Sequence, residues 1–287
     1  MTLQHRKALS AYPFKLTASD MDGTLLDENQ QIDPVNVAAV DWLRSPQSMF
    51  VLASGRIAQQ MVPYHRQLGL TEPIVACNGA YVFIPGGEVI LAVGIPAAVA
   101  ASIIKLASTK RVTALSYFEE GVSVTSKNHW NRDSERHVTE GTVEVTFCRS
   151  TRLRGRSPFK IVLSASKSRI DTLIACVTKR YGKKVDVLRL NDETIEFMPK
   201  GVNKKTGLQA VAKYFGIDAK DIAAFGDGNN DSFMLEWAGM GVAMHHGTQA
   251  AKTAACRVAP ATDPAVNFAA AVTLAAQGAI EGETPCK

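Results

Sequence analysis

Four short apolar runs, each broken off by a polar turn, constrain this chain more than any other feature. FKLTA (residues 14–18) leads through Ser19 to Asp20, MFVLA (49–53) to Ser54-Gly55-Arg56, PIVAC (73–77) to Asn78-Gly79, and DIAAF (221–225) to Gly226-Asp227-Gly228. Helix-like periodicity separates them. PVNVAAVDWLR has Pro34 suited to a first turn and Asp33 to its N-cap. IAQQMVPYHRQLG is closed by Gly69, although Pro63 interrupts it. Near-continuous apolar strands alternating with helices predict a parallel sheet covered on both faces. Ligands of such sheets bind beyond the carboxyl ends of the strands, and all four polar turns fall there.

The pattern changes in the middle. Between about Phe83 and Phe197 lie strand-like stretches (YVFIPGGEVILAV, TVEVTFC, FKIVLSAS, KVDVLRL, TIEFM) and two helical segments, PAAVAASIIKLAST and SRIDTLIACVTKRYG. IPGGEVI reads as a hairpin turn. After Pro199 the first pattern resumes with the helix KKTGLQAVAKYFG. The expected fold class is therefore α/β: a doubly wound, Rossmann-like parallel-sheet core from residues 1–83 and 198–287, with an α+β domain, 84–197, inserted into it. A chain of 287 residues with 46% apolar and 21% charged residues is large enough for that arrangement.

Several classes are disfavoured. No segment approaches the ~18–20 apolar residues of a membrane span, and MTLQHRKALSAYPF lacks the apolar stretch of a signal peptide. Cys77, Cys148, Cys176, Cys256 and Cys286 are scattered singly, which reads as reduced thiols in a cytoplasmic protein. The net charge of +5 is mild, and its excess gathers in RSTRLRGRSPFK, with Arg149, Arg152, Arg154, Arg156 and Lys160. That run reads as a solvated face; the alternative is that one or two arginines hold a second anionic group of a substrate. Without aromatic interleaving or a known motif it does not indicate nucleic acid.

Each polar turn alone has an ordinary structural explanation, since Asp, Ser and Gly are what turns use. Together they do not. Asp20 and Asp22 are two apart; Asp227 and Asp231 are four apart, the spacing of one helix face. Three or four carboxylates meeting at one sheet edge repel unless a cation offsets them. Oxygen-only ligands with retained waters describe Mg²⁺. The Ser54 hydroxyl, backbone N–H groups of glycine turns and a lysine among Lys200, Lys204 and Lys205 suit a phosphate group. One Asp then serves as nucleophile and the other handles the proton.

In this order and spacing, DMDGTLL, SGR with Ser54, KGVNK with Lys204, and GDGNND resemble the four motifs of the haloacid dehalogenase (HAD) superfamily, and within it the Cof-type phosphatases with a C2 cap. The resemblance covers nearly the whole chain. It implies a Mg²⁺-dependent phosphatase of small phosphorylated metabolites, sugar phosphates first and phosphorylated cofactors next, acting through an aspartyl-phosphate. It further implies Asp20 as nucleophile and Asp22 as acid and base. Mg²⁺ would lie on Asp20, the backbone carbonyl of Asp22 and Asp227, supported by Asp231. Ser54 and Lys204 would hold the phosphoryl group, with Asn230, Gly55 and, more weakly, Gly23, Thr24 and Asn78 lining the pocket. The expected partner is a small phosphorylated substrate, with no nucleic acid or membrane, and the chain a monomer or small homo-oligomer. A phosphomutase of the same superfamily and a non-enzymatic binding protein are the alternatives.

Two departures stand out. Relatives carry Gly-Asn-Ala where this chain has His245 and His246, which reads as a surface loop, the alternative being a substrate contact. Lys204-Lys205 replaces Lys-Gly, leaving a one-residue ambiguity that the motif position resolves in favour of Lys204.

Overall fold

The computed structural model describes residues 12–46, 48–126, 143–263 and 266–280. Two compact units divide the chain: Met1–Gly55, Tyr64–Ile90 and Asn203–Lys287 form the first, and Arg56–Pro63 and Leu91–Val202 the second.

The first unit is built on strands β1 (Leu16–Ser19), β2 (Met49–Ala53), β3 (Ile74–Ala76), β4 (Tyr81–Phe83), β5 (Val89–Ala92), β12 (Ile222–Gly226), β13 (Met240–Ala243) and β14 (Arg257–Val258), in sheet order β14-β13-β12-β1-β2-β3-β4-β5. From β14 to β3 every pairing is parallel; β4 turns back antiparallel on β3. Chain order runs from β1 to one side through β2 and β3 and returns on the other side with β12, so β1 and β12 flank the point where the winding reverses. The hairpin expected at IPGGEVI joins β4 to β5, closed by Gly87 N–H to the Ile84 carbonyl at 2.8 Å.

Helices cover both faces, as the unbroken apolar strands require. Helices α1 (Pro34–Leu43), capped by Asp33 at the Val35 N–H, and α2 (Ala58–Gln67) follow β1 and β2. The second unit contributes α3 (Ala97–Lys110) and α4 (Lys167–Tyr181). The chain then returns through α5 (Lys204–Phe215), the short α6 (Ser232–Trp237) and α7 (Gln249–Ala254), and α8 (Asn267–Ile280). Phe268 of α8 meets Phe50 and Phe225 edge-on at 5.8 and 5.3 Å between centroids. Gly207 of α5 lies against Val75, which is aligned with Ala53 and so faces away from Phe50. Thus α8 and α5 lie on opposite faces.

The second unit has its own sheet: β6 (Thr113–Phe118), β7 (Gly121–Val124), β8 (Val145–Phe147), β9 (Lys160–Ser164), β10 (Val185–Arg189) and β11 (Thr194–Pro199), ordered β10-β11-β9-β6-β7-β8. All its pairings are antiparallel except β7 with β8. Ile103 and Ile104 of α3 and Ile170 and Val177 of α4 share a core with Ile161, Leu163, Ile195 and Phe197 of the sheet. The basic run is only partly a solvated face. Arg156 pairs with Glu120 and lies 3.7 Å over the Phe118 ring, while Lys160 holds the buried Glu196 at 3.1 Å.

Among the described residues no helix is long and apolar enough to cross a membrane. Cys77, Cys148 and Cys176 carry free thiols. Cys286 lies outside the described residues.

Candidate active site

Two neighbouring parallel strands set the site. Ser19 at the end of β1 is aligned with Phe225 of β12, so both chains leave the sheet at the same edge. Asp20 follows β1 directly, its N–H donating to the Phe225 carbonyl at 2.9 Å, and Asp227 follows β12. After Asp20 the chain wraps around one carbonyl: the N–H groups of Thr24, Leu25 and Leu26 converge on Met21 O at 3.3, 3.0 and 2.8 Å.

Carboxylate oxygens of Asp20, Asp227 and Asp231 lie within 4.8 Å of one another. Lys204 sits among them, fully buried, its Nζ 2.6 Å from Asp20 Oδ1 and 2.6 Å from Asp231 Oδ1. Its placement follows from local chemistry. Asn203 caps α5 by accepting the Thr206 N–H at 3.3 Å, and Thr206 Oγ1 accepts the Asn203 N–H at 3.3 Å, a reciprocal box that starts the helix at Lys204. Of the three candidate lysines, Lys200 instead pairs with Asp186 at 2.6 Å, and Lys205 is partly exposed.

The buried Asp231 is a brace. Its Oδ1 accepts from Lys204, and its Oδ2 accepts the N–H groups of Asp227 and Gly228 at 3.0 and 2.8 Å, fixing the GDGN turn. Asp227 Oδ1 accepts the Thr24 hydroxyl at 3.2 Å, linking the two acidic loops.

Burial dominates the electrostatics. It pushes Asp20 well above the usual carboxylate range, with the Asp231 charge adding to the rise and Lys204 opposing it. Asp227 is raised for the same reasons, burial first and Asp231 second. Burial works to discharge Lys204, but the Asp20 and Asp231 charges outweigh it and hold the ammonium charged. With one ammonium against three carboxylates, the cluster carries two uncompensated negative charges when ionised. All-oxygen donors, crowded, converging and short of positive charge, fit a hard divalent cation such as Mg²⁺.

Asp22 is half-buried, and its carboxylate lies outside the group of three. Ser54 is buried at the end of β2, its N–H on Val75 O and its carbonyl accepting the Asn78 N–H, both at 2.9 Å. Asn78, in the left-handed region at φ 52°, passes close beside Gly55 and accepts from Asn230 Nδ2 at 3.0 Å. His245 and His246 are exposed, as expected of a surface loop. His246 is nonetheless attached to the first acidic loop, its Nε2 2.7 Å from the Gly23 carbonyl oxygen. Sequence reasoning missed that contact; the signal was the departure from Gly-Asn-Ala at this position.

The family model described as haloacid dehalogenase-like hydrolase matches residues 17–265. Among curated proteins, the chain is similar to 5-amino-6-(5-phospho-D-ribitylamino)uracil phosphatase YitU of Bacillus subtilis (strain 168), 27% identical over 246 residues that cover 84% of this chain and 90% of the relative. It is also similar to HMP-PP phosphatase of Serratia proteamaculans (strain 568), 26% identical over 251 residues, 80% of this chain and 84% of that one. Among solved structures, TM0651 from Thermotoga maritima superposes with a TM-score of 0.81 at 26% identity, covering 91% of this chain and 97% of its own.

Proposed function

From the premise that the chain belongs to the haloacid dehalogenase-like hydrolases, we propose that the Asp20–Lys204–Asp231–Asp227 cluster hydrolyses phosphate monoesters of small metabolites through an aspartyl-phosphate. Sugar phosphates are the first substrate class and phosphorylated cofactors the next; relatives named for a phospho-ribityl compound and for HMP-PP support this range. The observation that carries the reading is the buried Lys204 held 2.6 Å from both Asp20 and Asp231. A cation fixed there meets the negative charge that phosphoryl transfer spreads over the equatorial oxygens.

In this reading an Asp20 oxygen attacks phosphorus, forming the O–P bond of the aspartyl-phosphate as the ester P–O bond breaks. Asp22 gives its proton to the departing alkoxide. It then takes a proton from water, whose oxygen attacks the same phosphorus, releasing inorganic phosphate and restoring Asp20. Ser54 and Lys204 orient the phosphoryl group, with Asn230 and Gly55 at the rim. Asp20, the carbonyl of Asp22 and Asp227 would hold Mg²⁺, with Asp231 as brace; the ion would supply the charge that keeps Asp20 ionised despite its burial. The inserted α+β domain, residues 84–197, serves as the cap that selects the substrate. We place the enzyme in the cytoplasm, where phosphorylated metabolites are kept.

The test is phosphate release from an aryl phosphate and a metabolite panel, with Mg²⁺ or with EDTA, for wild type and Asp20→Asn. Loss of turnover by at least about a thousandfold in the variant and in EDTA is expected. Undiminished turnover in Asp20→Asn overturns the nucleophile. No release by folded wild type overturns the phosphatase reading, and assay with a bisphosphate activator then tests the mutase.

A further inference from the structure

The Gly23 carbonyl can only accept a hydrogen bond, so His246 Nε2, 2.7 Å away, donates to it. The ring's other nitrogen, Nδ1, lies 3.4 Å from Asn267 Nδ2 and accepts from it. Asn267 is the first residue of α8 and is buried, and its Oδ1 accepts the Thr262 hydroxyl at 2.7 Å. A continuous chain, Thr262 to Asn267 to His246 to Gly23, therefore runs from the start of α8 to the turn between Asp22 and Thr24.

That turn has little freedom to lose. Gly23 is at φ +73°, and a Cβ there would stand 2.8 Å from Asp227 Oδ2. The Gly23 peptide is thus pressed against one carboxylate of the cluster on one side and tied to His246 on the other. The His246 loop is anchored independently: Met244 N–H donates to Gly226 O at 3.0 Å and Thr248 N–H to Asp227 O at 2.7 Å. A second link reaches the same helix start. The buried Asn36 donates from Nδ2 to Leu25 O at 3.4 Å and accepts the Ala269 N–H at 3.1 Å.

We propose that His246 is a positioning residue, a strut that fixes the Asp20–Asp22 loop against the first turn of α8. It touches no reacting atom; it acts through the Gly23 peptide. Asn36 does the same from the other end of the loop, and the two struts make the start of α8 the reference against which the loop is set. The catalytic consequence rests on the phosphatase reading above; the mechanical one does not.

The test compares His246→Leu, which removes the donor, with His246→Gln, whose Nε2 can restore it. Hydrogen exchange of the segment 20–26 is expected to quicken in the Leu variant and stay near wild type in the Gln variant. With an aryl phosphate, kcat is expected to fall about fivefold in the Leu variant, the size of one lost hydrogen bond, with KM little changed. Gln should recover most of it, and adding Asn267→Leu to the Leu variant should lower kcat no further. Unchanged exchange in His246→Leu, or a Gln variant as impaired as the Leu variant, overturns the strut. If wild type releases no phosphate, the phosphatase reading falls, and the exchange comparison still decides the strut.

Discussion

Replacing Lys204 by methionine removes the ammonium that pairs with Asp20 and Asp231 while keeping most of the apolar stem of the side chain. At 2.6 Å from each of Asp20 and Asp231, an effective dielectric of about 20 gives roughly 6 kcal/mol of gross attraction per contact. Against the sum stands the desolvation of the ammonium, several kcal/mol, which the variant recovers. The variant also leaves two desolvated carboxylates facing each other. Asp20, already pushed toward its protonated form by burial and Asp231, takes up a proton and limits the loss. The net expectation is about 3–5 kcal/mol, the usual cost of breaking a buried pair from one side, or a fall in Tm of roughly 6–20 °C for a protein of this size. The assay is thermal unfolding followed by circular dichroism in EDTA near neutral pH. Because a carboxylate with a raised folded-state pKa is stabilised by acid, the deficit should shrink as the pH is lowered from neutral. A triple variant with Asp20→Asn and Asp231→Asn should regain most of the lost stability. A Tm within about 2 °C of wild type would refute the reasoning, because it would mean that the ammonium is not what holds the carboxylates.

Two further outcomes follow from packing and burial. In Gly207→Ala the new Cβ would stand 2.4 Å from Val75 Cγ1 and 2.8 Å from the Gly79 backbone. Overpacking of about 1–3 kcal/mol then meets about 1 kcal/mol of gained helix propensity; Tm should fall by a few degrees and kcat further, since α5 carries Lys204, and a rise in Tm refutes the contact. His65, buried with its Nε2 on the Glu72 carbonyl at 2.8 Å, is held below its ordinary pKa, mainly by burial. The unfolded chain therefore binds a proton that the folded one resists, so stability should fall as pH drops through the unfolded value of about 6.5. His65→Gln should flatten that part of the stability profile, and an unchanged slope in urea titrations would assign it elsewhere.

The site was legible in the sequence to the extent that it is built from turns. Asp20, Ser54, Asn78 and Asp227 each end an apolar strand, and once the sheet is parallel all such ends meet at one edge. What was not legible depends on long-range partners. Lys204 could be told from Lys200 and Lys205 only by motif position; the physical distinction is burial at the start of α5 and a neighbouring strand whose Asp20 lies far away in sequence. The arginine run read as a solvated face because its partners lie elsewhere in the chain, Glu120 for Arg156 in the turn between β6 and β7 and Glu196 for Lys160 on β11. Asn36 looked like an ordinary helix residue, and its role as a link between Leu25 O and the Ala269 N–H exists only once α1 and α8 lie together.

Lys204 and Asp20 break the local rules that stability alone would follow. A lysine is among the residues least often fully buried, and the first turn of a helix repels a cation through the helix dipole; Lys204 is both fully buried and the first residue of α5. Asp20 is equally out of place, a carboxylate raised by burial and by a like charge close by. Each is tolerable only because the other is there, and an apolar set of similar shape would often be at least as stable. Yet even together they do not balance, because Asp227 and Asp231 leave the cluster negative. A fold selected only for stability has no reason to keep an unbalanced, desolvated cluster at the reversal point of its sheet. The proposed function supplies that reason: a divalent cation and a phosphoryl group bound there would turn the imbalance that weakens the empty fold into binding energy.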